Sequence, residues 1–117
     1  MNILLVEDEA ITALSIKAEL KTYGYATETV SSGERAVSEA RDHNYDLILM
    51  DIHLAGKLSG IDAMKKINDV SSVPVIFITG YTDEGIQREM ADLNPLKVLN
   101  KPVSVFEIQK IVREKFV

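Results

Sequence analysis

The sequence predicts an α/β protein built on an open, doubly wound parallel sheet. Short apolar runs alternate with segments of helical spacing, which is typical of a parallel sheet covered by helices on both faces. Most of the runs are continuously apolar, as expected for strands buried on both sides. They cover residues 3–6, 26–30 (the weakest), 47–50, 75–78 and 96–99. Five such units in 117 residues fill one domain and are too few for an eight-stranded barrel.

The segments between these runs carry apolar residues spaced along one helical face. The predicted faces are Ile11 with Leu14 and Ala18, Val37 with Ala40, Ile61 with Met64 and Ile67, and Val105 with Ile108 and Val112. Capping-box spacing, which marks the start of a helix, is present in Ser31 with Glu34, Ser59 with Asp62, and Ser104 with Glu107. Gly24 is placed to end the first helix, and Pro74 to start the fourth strand.

Composition excludes several classes of protein. The chain has no cysteine, so disulfides, thiol catalysis and cysteine-based zinc sites are excluded. The net charge of -5 argues against direct binding to nucleic acid or to an anionic membrane. No apolar run is long enough to span a bilayer, and the N-terminus lacks the basic region of a signal peptide. We therefore expect a cytoplasmic protein that is not inserted into a membrane.

Polar residues follow four of the five runs. Ligands of open parallel sheets bind beyond the carboxyl ends of the strands, so these residues are the candidate site. In chain order the chemically active ones are Glu7 and Asp8, then Asp51, then Thr79, then Lys101. The sequence thus predicts three carboxylates, one hydroxyl and one ammonium group at a single edge of the sheet.

Such a set suits phosphoryl transfer. Clustered carboxylates repel one another unless a cation lies between them, and their oxygens are suitable ligands for Mg²⁺. A carboxylate can also attack phosphorus and form an aspartyl phosphate, whose oxygens must then be neutralised. Glu7, Asp8 and Asp51 are the candidate metal ligands, while Lys101 and the Thr79 hydroxyl are candidate partners for the phosphoryl oxygens.

Each of these residues also has a plain structural explanation. Glu7 and Asp8 could simply favour the positive end of a helix, and Asp51 could be a turn residue. Thr79 could be an ordinary strand-end hydroxyl, and Lys101 a solvated surface charge. The joint placement at the ends of four strands favours the functional explanation.

The pattern resembles the receiver domains of bacterial response regulators, with the fold of the chemotaxis response regulator. The matching segments are LLVEDE at 4–9, DLILMDI at 46–52, VIFITG at 75–80 and NKP at 100–102. Their order and spacing extend over the whole chain. The resemblance implies one receiver domain at 1–117, with a flavodoxin-like three-layer fold, five helices and strand order 2-1-3-4-5.

The resemblance also implies a role for each matching residue. Asp51 would be phosphorylated by a phosphohistidine of a sensor kinase or phosphotransfer protein. Mg²⁺, or Mn²⁺, would be held by Asp51, by Asp8, by Glu7 through water and by the backbone carbonyl of His53. Thr79 and Lys101 would bind the phosphoryl oxygens. The peptide bond that precedes Pro102 would be cis.

Two features depart from the usual pattern. Relatives carry an aromatic residue three positions before the lysine, and this residue swings inward on activation. This chain has Val98 at that position, and Tyr81 is expected to substitute in part for the missing aromatic residue. The loop that follows Asp51 is one residue longer, with Gly60 nine positions after Asp51 rather than eight. His53 and Tyr81 flank the expected path of hydrolytic water, and we expect them to slow loss of the phosphoryl group.

Three functions are compatible with these features. The first is a phosphorylation-controlled switch, which would not be an enzyme with a separate substrate. It would dock a downstream target through residues 83–117, and phosphorylation could also allow two copies to form a homodimer. Because the first predicted strand begins next to Met1 and the last predicted helix ends next to Val117, the switch is expected to have no output domain of its own. The second is the receiver part of a longer regulator or hybrid kinase. The third is an Mg²⁺-dependent phosphohydrolase, disfavoured because His53 stands where such enzymes place a second carboxylate.

Overall fold

The computed structural model describes residues 1–116, in which five strands alternate with five helices. The elements are β1 (Asn2–Val6), α1 (Ala10–Thr22), β2 (Ala26–Val30), α2 (Gly33–Asp42), β3 (Leu47–Asp51), α3 (Gly60–Asn68), β4 (Val75–Thr79), α4 (Glu84–Asp92), β5 (Lys97–Asn100) and α5 (Val105–Lys115). All strand pairs are parallel, and the sheet order is β2-β1-β3-β4-β5. The predicted fold class and strand order are confirmed.

The sheet separates two hydrophobic cores. Leu4, Val6 and Met50 face the core that is covered by α2, α3 and α4. Leu5 and Leu49, their neighbours along the same strands, face the core that is covered by α1 and α5. This alternation follows from the period of two residues along a strand, and it makes the domain a three-layer α/β/α sandwich.

The register of the sheet aligns the ends of the strands that carry the candidate site. Val6 is paired with Met50, Asp51 with Ile78, and Thr79 with Asn100. Glu7 and Asp8 follow β1 directly, and Lys101 follows β5. The polar residues identified in the sequence are therefore at one edge of the sheet, beyond the carboxyl ends of its strands.

Most of the predicted element boundaries are confirmed. The hydroxyls of Ser59 and Ser104 cap α3 and α5, and Gly24 follows the end of α1 with φ of 85°. The prediction for α2 is wrong by one residue. Its cap is Ser32, which accepts a hydrogen bond from the backbone N–H of Arg35, so Ser31 does not form a capping box with Glu34.

The predicted buried face of α1 is also wrong. Ile11 and Leu14 are 84% and 66% exposed, and Ala18 is exposed as well, whereas α1 packs on the sheet through Ala13, Ile16 and Leu20. Apolar residues surround this helix, so their spacing alone does not determine which stripe faces the sheet. Among the helices of residues 1–116, none is long and apolar enough to cross a membrane.

Candidate functional site

Three carboxylates meet at the carboxyl edge of the sheet. One oxygen from each of Glu7, Asp8 and Asp51 lies within 4.8 Å of the others. Asp51, the last residue of β3, is 1% exposed, Glu7 is 5% exposed, and Asp8 is half-buried. Burial of two carboxylates without compensation is unfavourable, so the site requires nearby positive charge.

Lys101 supplies part of that charge. Its Nζ is 2.7 Å from Asp51 Oδ2 and 3.7 Å from Glu7 Oε1. Burial opposes the charge on this ammonium group, but the hydrogen bond and charge of Asp51, together with the charge of Glu7, raise the pKa of Lys101 overall. Lys101 therefore stays protonated and holds the Asp51 carboxylate in place.

One lysine does not neutralise the whole cluster. Burial raises the pKa of Glu7 to about 7, and the negative charge of Asp51 adds to this effect. The backbone N–H of Glu9, which donates to Glu7 Oε2 at 3.2 Å, and the charge of Lys101 oppose it only partly. A buried all-oxygen site that still favours added positive charge fits a hard divalent cation such as Mg²⁺.

Thr79 is 1% exposed at the end of β4. Its hydroxyl is bonded within the β4–α4 turn, which comprises residues 80–83. Thr79 Oγ1 donates to the backbone carbonyl of Tyr81 at 2.8 Å, and the Tyr81 N–H donates back to Oγ1 at 3.2 Å. The threonine therefore lies at the predicted edge, but its hydroxyl is bonded within the β4–α4 turn. The Tyr81 side chain itself is 69% exposed.

His53 contacts the site with both its backbone and its side chain. Its backbone N–H donates to Asp51 Oδ1 at 2.9 Å. Its imidazole Nε2 lies 2.8 Å from the backbone carbonyl of Tyr81 and 3.4 Å from Thr79 Oγ1. The sequence placed His53 and Tyr81 near each other, but it gave no signal for this bond between the two loops.

The longer loop after Asp51 is held by two side-chain hydrogen bonds and ends at a closely packed glycine. The N–H of Ala55 donates to Asp8 Oδ2 at 2.9 Å, and the N–H of Leu58 donates to Glu34 Oε1 at 2.9 Å. A Cβ on Gly60 would lie 2.2 Å from the Asp51 carbonyl oxygen, so only glycine fits there. Glu34 and Gly60 thus have roles that sequence spacing did not reveal, because both depend on contacts between distant segments.

Val98, at the position where relatives carry an aromatic residue, is 36% exposed on β5. Thr79, Met90, Val98 and Asn100 instead line an open cavity of about 370 Å³ between β5 and α4. The Lys101–Pro102 peptide bond is cis, as the resemblance to receiver domains implied. The site therefore combines the expected acidic cluster with an unfilled space beside the threonine.

Comparison with known proteins agrees with this geometry. Residues 3–113 match the family described as the response regulator receiver domain. The chain is 31% identical over 107 residues to the polar-differentiation response regulator DivK of Brucella ovis, covering 89% of this chain and 86% of that protein. It is 31% identical over 110 residues to the autoinducer 2 sensor kinase/phosphatase LuxQ of Vibrio vulnificus, covering 92% of this chain but 13% of that protein.

Among solved structures, the receiver domain of sensor histidine kinase PA1611 from Pseudomonas aeruginosa is similar, with a TM-score of 0.85 and 33% identity. The match covers 97% of this chain and 94% of that one. That structure contains a magnesium ion coordinated in its active-site cleft. From these matches and the fold, this chain belongs to the response regulator receiver domain family of two-component signalling.

Proposed function

We propose that the chain is a phosphorylation-controlled switch in which Asp51 accepts a phosphoryl group from a phosphohistidine. The observation that carries this proposal is the buried Asp51 carboxylate, which is bonded to Lys101 and clustered with Glu7 and Asp8. A carboxylate oxygen of Asp51 would attack phosphorus, and the P–N bond of the phosphohistidine would break. The leaving imidazole nitrogen would keep the electron pair, and the carboxylate would become an aspartyl phosphate.

Glu7, Asp8 and Asp51 would hold Mg²⁺ or Mn²⁺, with the His53 carbonyl as a further predicted ligand. The close approach of three carboxylate oxygens and the raised pKa of Glu7 support this assignment. The magnesium ion in the similar PA1611 receiver domain supports it as well. The bound cation would supply positive charge to the phosphoryl oxygens.

Lys101 and Thr79 would stabilise the product. Lys101 Nζ already lies 2.7 Å from Asp51 Oδ2, so it is placed to neutralise a phosphoryl group on Asp51. Thr79 Oγ1 would first have to leave the Tyr81 carbonyl that now accepts its hydrogen bond. Thr79 is therefore the group whose position would differ between the free and phosphorylated states.

A groove beside the site suits a donor protein. This groove of about 640 Å³ is lined by Glu7, Lys101 and Val103 on the side of the site and by the exposed Ile11 and Ser15 of α1 on the other. Ile11 in this groove and Leu14 further along α1 are exposed apolar side chains, which a docking partner would cover. A kinase or phosphotransfer protein that docks on α1 would bring its phosphohistidine to Asp51.

That docking assignment can be tested separately from the chemistry. Ile11→Asp should slow labelling by a phosphohistidine protein at least several-fold but leave labelling by acetyl phosphate unchanged. Val70→Asp, at an exposed apolar residue outside the groove, is the control. Equal transfer to both variants would contradict docking on α1.

The output would pass through the face formed by α4, β5 and α5, which displays the exposed Val98 and Phe106. Val117, at the end of the predicted face, lies outside the described residues. A downstream protein or a second phosphorylated copy of the chain would dock there. Two arrangements of the whole protein are compatible with the matches. The match with DivK covers 86% of that protein, which fits a regulator of one domain, whereas the match with LuxQ covers 13% of that protein, which fits the receiver part of a longer chain. A cytoplasmic location stays a prediction from composition.

The decisive experiment is labelling with a small donor. Wild type and Asp51→Asn are incubated with acetyl phosphate and Mg²⁺, and the intact masses are measured. One phosphoryl group should appear on wild type and none on the variant. An unlabelled wild type, or equal labelling of both proteins, would refute the proposal. Multiple turnover of a phosphomonoester would instead favour the phosphohydrolase.

A further inference from the structure

His53 links the acceptor aspartate to the neighbouring loop through a single residue. Its backbone N–H holds Asp51 Oδ1 at 2.9 Å, and its imidazole Nε2 lies 2.8 Å from the Tyr81 carbonyl oxygen. Because a carbonyl oxygen can only accept, Nε2 must carry the proton of this hydrogen bond. Asp51 and the β4–α4 turn are therefore connected through the backbone N–H and the side chain of one residue.

The Tyr81 carbonyl receives two donors at once. Thr79 Oγ1 donates to it at 2.8 Å, and His53 Nε2 donates to it as well. A carbonyl oxygen has two lone pairs, so both are occupied. When Thr79 turns toward a phosphoryl group, His53 can keep the carbonyl satisfied, so the release of Thr79 does not leave that acceptor unpaired.

The turn that His53 holds leads directly into α4. Only Thr82 and Asp83 separate Tyr81 from the first residue of α4. Asp83 Oδ1 accepts a hydrogen bond from the N–H of Ile86 at 2.8 Å, and Gln87 Nε2 donates to Thr82 Oγ1 at 3.1 Å. These bonds attach the turn to the helix, so a shift of the Tyr81 carbonyl is passed to the start of α4.

On the side that faces β5, the β4–α4 turn is less closely packed. Val98 is a short side chain that leaves open the cavity beside Thr79, with a volume of about 370 Å³. The contact between His53 and Tyr81 is, by contrast, a directional hydrogen bond to the backbone of the turn. We propose that His53 is the positioning residue that transmits phosphorylation of Asp51 to the β4–α4 turn and α4. This inference rests on the proposed function of Asp51.

Three variants distinguish this transmission through His53, called the relay below, from a merely structural role of the side chain. His53→Ala removes the imidazole but keeps the backbone N–H and carbonyl. His53→Gln restores a side-chain N–H donor of similar reach. His43→Ala is the matched control. His43 is exposed, as His53 is, but its Nε2 lies 3.9 Å from Glu39 Oε1, away from the site. Each protein is labelled with nitrogen-15 and studied with Mg²⁺, before and after addition of acetyl phosphate.

Two readouts are taken from each protein. Without acetyl phosphate, amide exchange in residues 80–83 should be about three- to tenfold faster in His53→Ala, which is the expected effect of one lost hydrogen bond. With acetyl phosphate, intact mass reports phosphorylation, and amide chemical shifts report the response of α4. We expect His53→Ala to be phosphorylated but to lose most of the α4 response, while His53→Gln and His43→Ala retain it.

The outcomes distinguish the two proposals. A full α4 response in phosphorylated His53→Ala would overturn the relay and leave the proposed function intact. Loss of the response in His53→Gln to the same degree as in His53→Ala would also overturn the relay, because a donor at that position would then be insufficient. An unlabelled wild type would overturn the phosphoacceptor role of Asp51 and the relay together.

Discussion

Lys101 Nζ lies 2.7 Å from Asp51 Oδ2, although the two residues are 50 positions apart in the chain. The pair joins the ends of β3 and β5, two strands that are separated by β4 in the sheet. Its geometry makes the ammonium group both a structural partner of a buried carboxylate and a cationic side chain next to any group attached to Asp51. Both consequences can be measured.

Replacing Lys101 should destabilise the domain. Lys101→Met keeps the length of the side chain but leaves the Asp51 carboxylate without its cation, so we expect a loss of about 1–3 kcal/mol in the free energy of unfolding. Denaturant unfolding with a chelator measures this loss, and Mg²⁺ should recover part of it. The exposed Lys97→Met is the control. Equal stability of Lys101→Met and wild type would show that the ion pair contributes nothing to the fold.

The charge of Glu7 should destabilise the folded state, whereas the charge of Lys101 stabilises it. Its pKa is raised to about 7 by burial and by Asp51, so its charge is unfavourable in the folded state. Between the ordinary value of 4.5 and about 7 the folded state binds the extra proton. The contribution of Glu7 to stability therefore falls as pH rises through this range.

Glu7→Gln removes this cost. With a chelator at pH 8, we expect the variant to be more stable than wild type by up to about 3 kcal/mol, and the difference to shrink towards pH 5. Its affinity for Mg²⁺ should fall. Denaturant unfolding at both pH values checks the first effect and calorimetric titration the second, with the exposed Glu19→Gln as control. A stability difference that does not change with pH would refute this explanation.

Gly60 should tolerate no side chain. A Cβ there would lie 2.2 Å from the Asp51 carbonyl oxygen and 2.7 Å from Ile52 Cα, and neither backbone atom can move without shifting the end of β3. Gly60→Ala should destabilise the domain by about 3 kcal/mol or more. Gly80→Ala is a matched control, because its Cβ would make an ordinary contact at 3.7 Å with Lys101 Cδ. Thermal unfolding of the two variants distinguishes the positions.

Tyr81 should lengthen the life of the phosphorylated state if its ring restricts water at the site. The ring is 69% exposed, and the backbone of Tyr81 is bonded to both Thr79 and His53. Because Tyr81→Ala keeps those backbone bonds, we expect only a moderate effect, a lifetime shorter by about threefold, or less than about 1 kcal/mol in the barrier. Decay of the labelled mass after removal of acetyl phosphate measures this lifetime, and an unchanged or longer lifetime would exclude the role.

Much of the fold and of the site could be predicted from the sequence because both depend on local patterns. Continuous apolar runs specify buried parallel strands, and the polar residue that follows each run must lie at the carboxyl edge of the sheet. The ends of the runs located Glu7, Asp8, Asp51 and Lys101, which the structure brings together. They also located Thr79 at the same edge, but they did not predict that its hydroxyl donates to the Tyr81 carbonyl.

The tertiary structure alone decided the features that depend on contacts between distant segments. The phase of α1 is one, since apolar residues lie all around this helix and only its packing selects Ala13, Ile16 and Leu20 as the buried stripe. The hydrogen bond from His53 to the Tyr81 carbonyl and the close approach of Gly60 to Asp51 are others. Local periodicity determines which elements form, whereas the relative positions of loops are determined by packing and by buried hydrogen bonds that no spacing within one segment encodes.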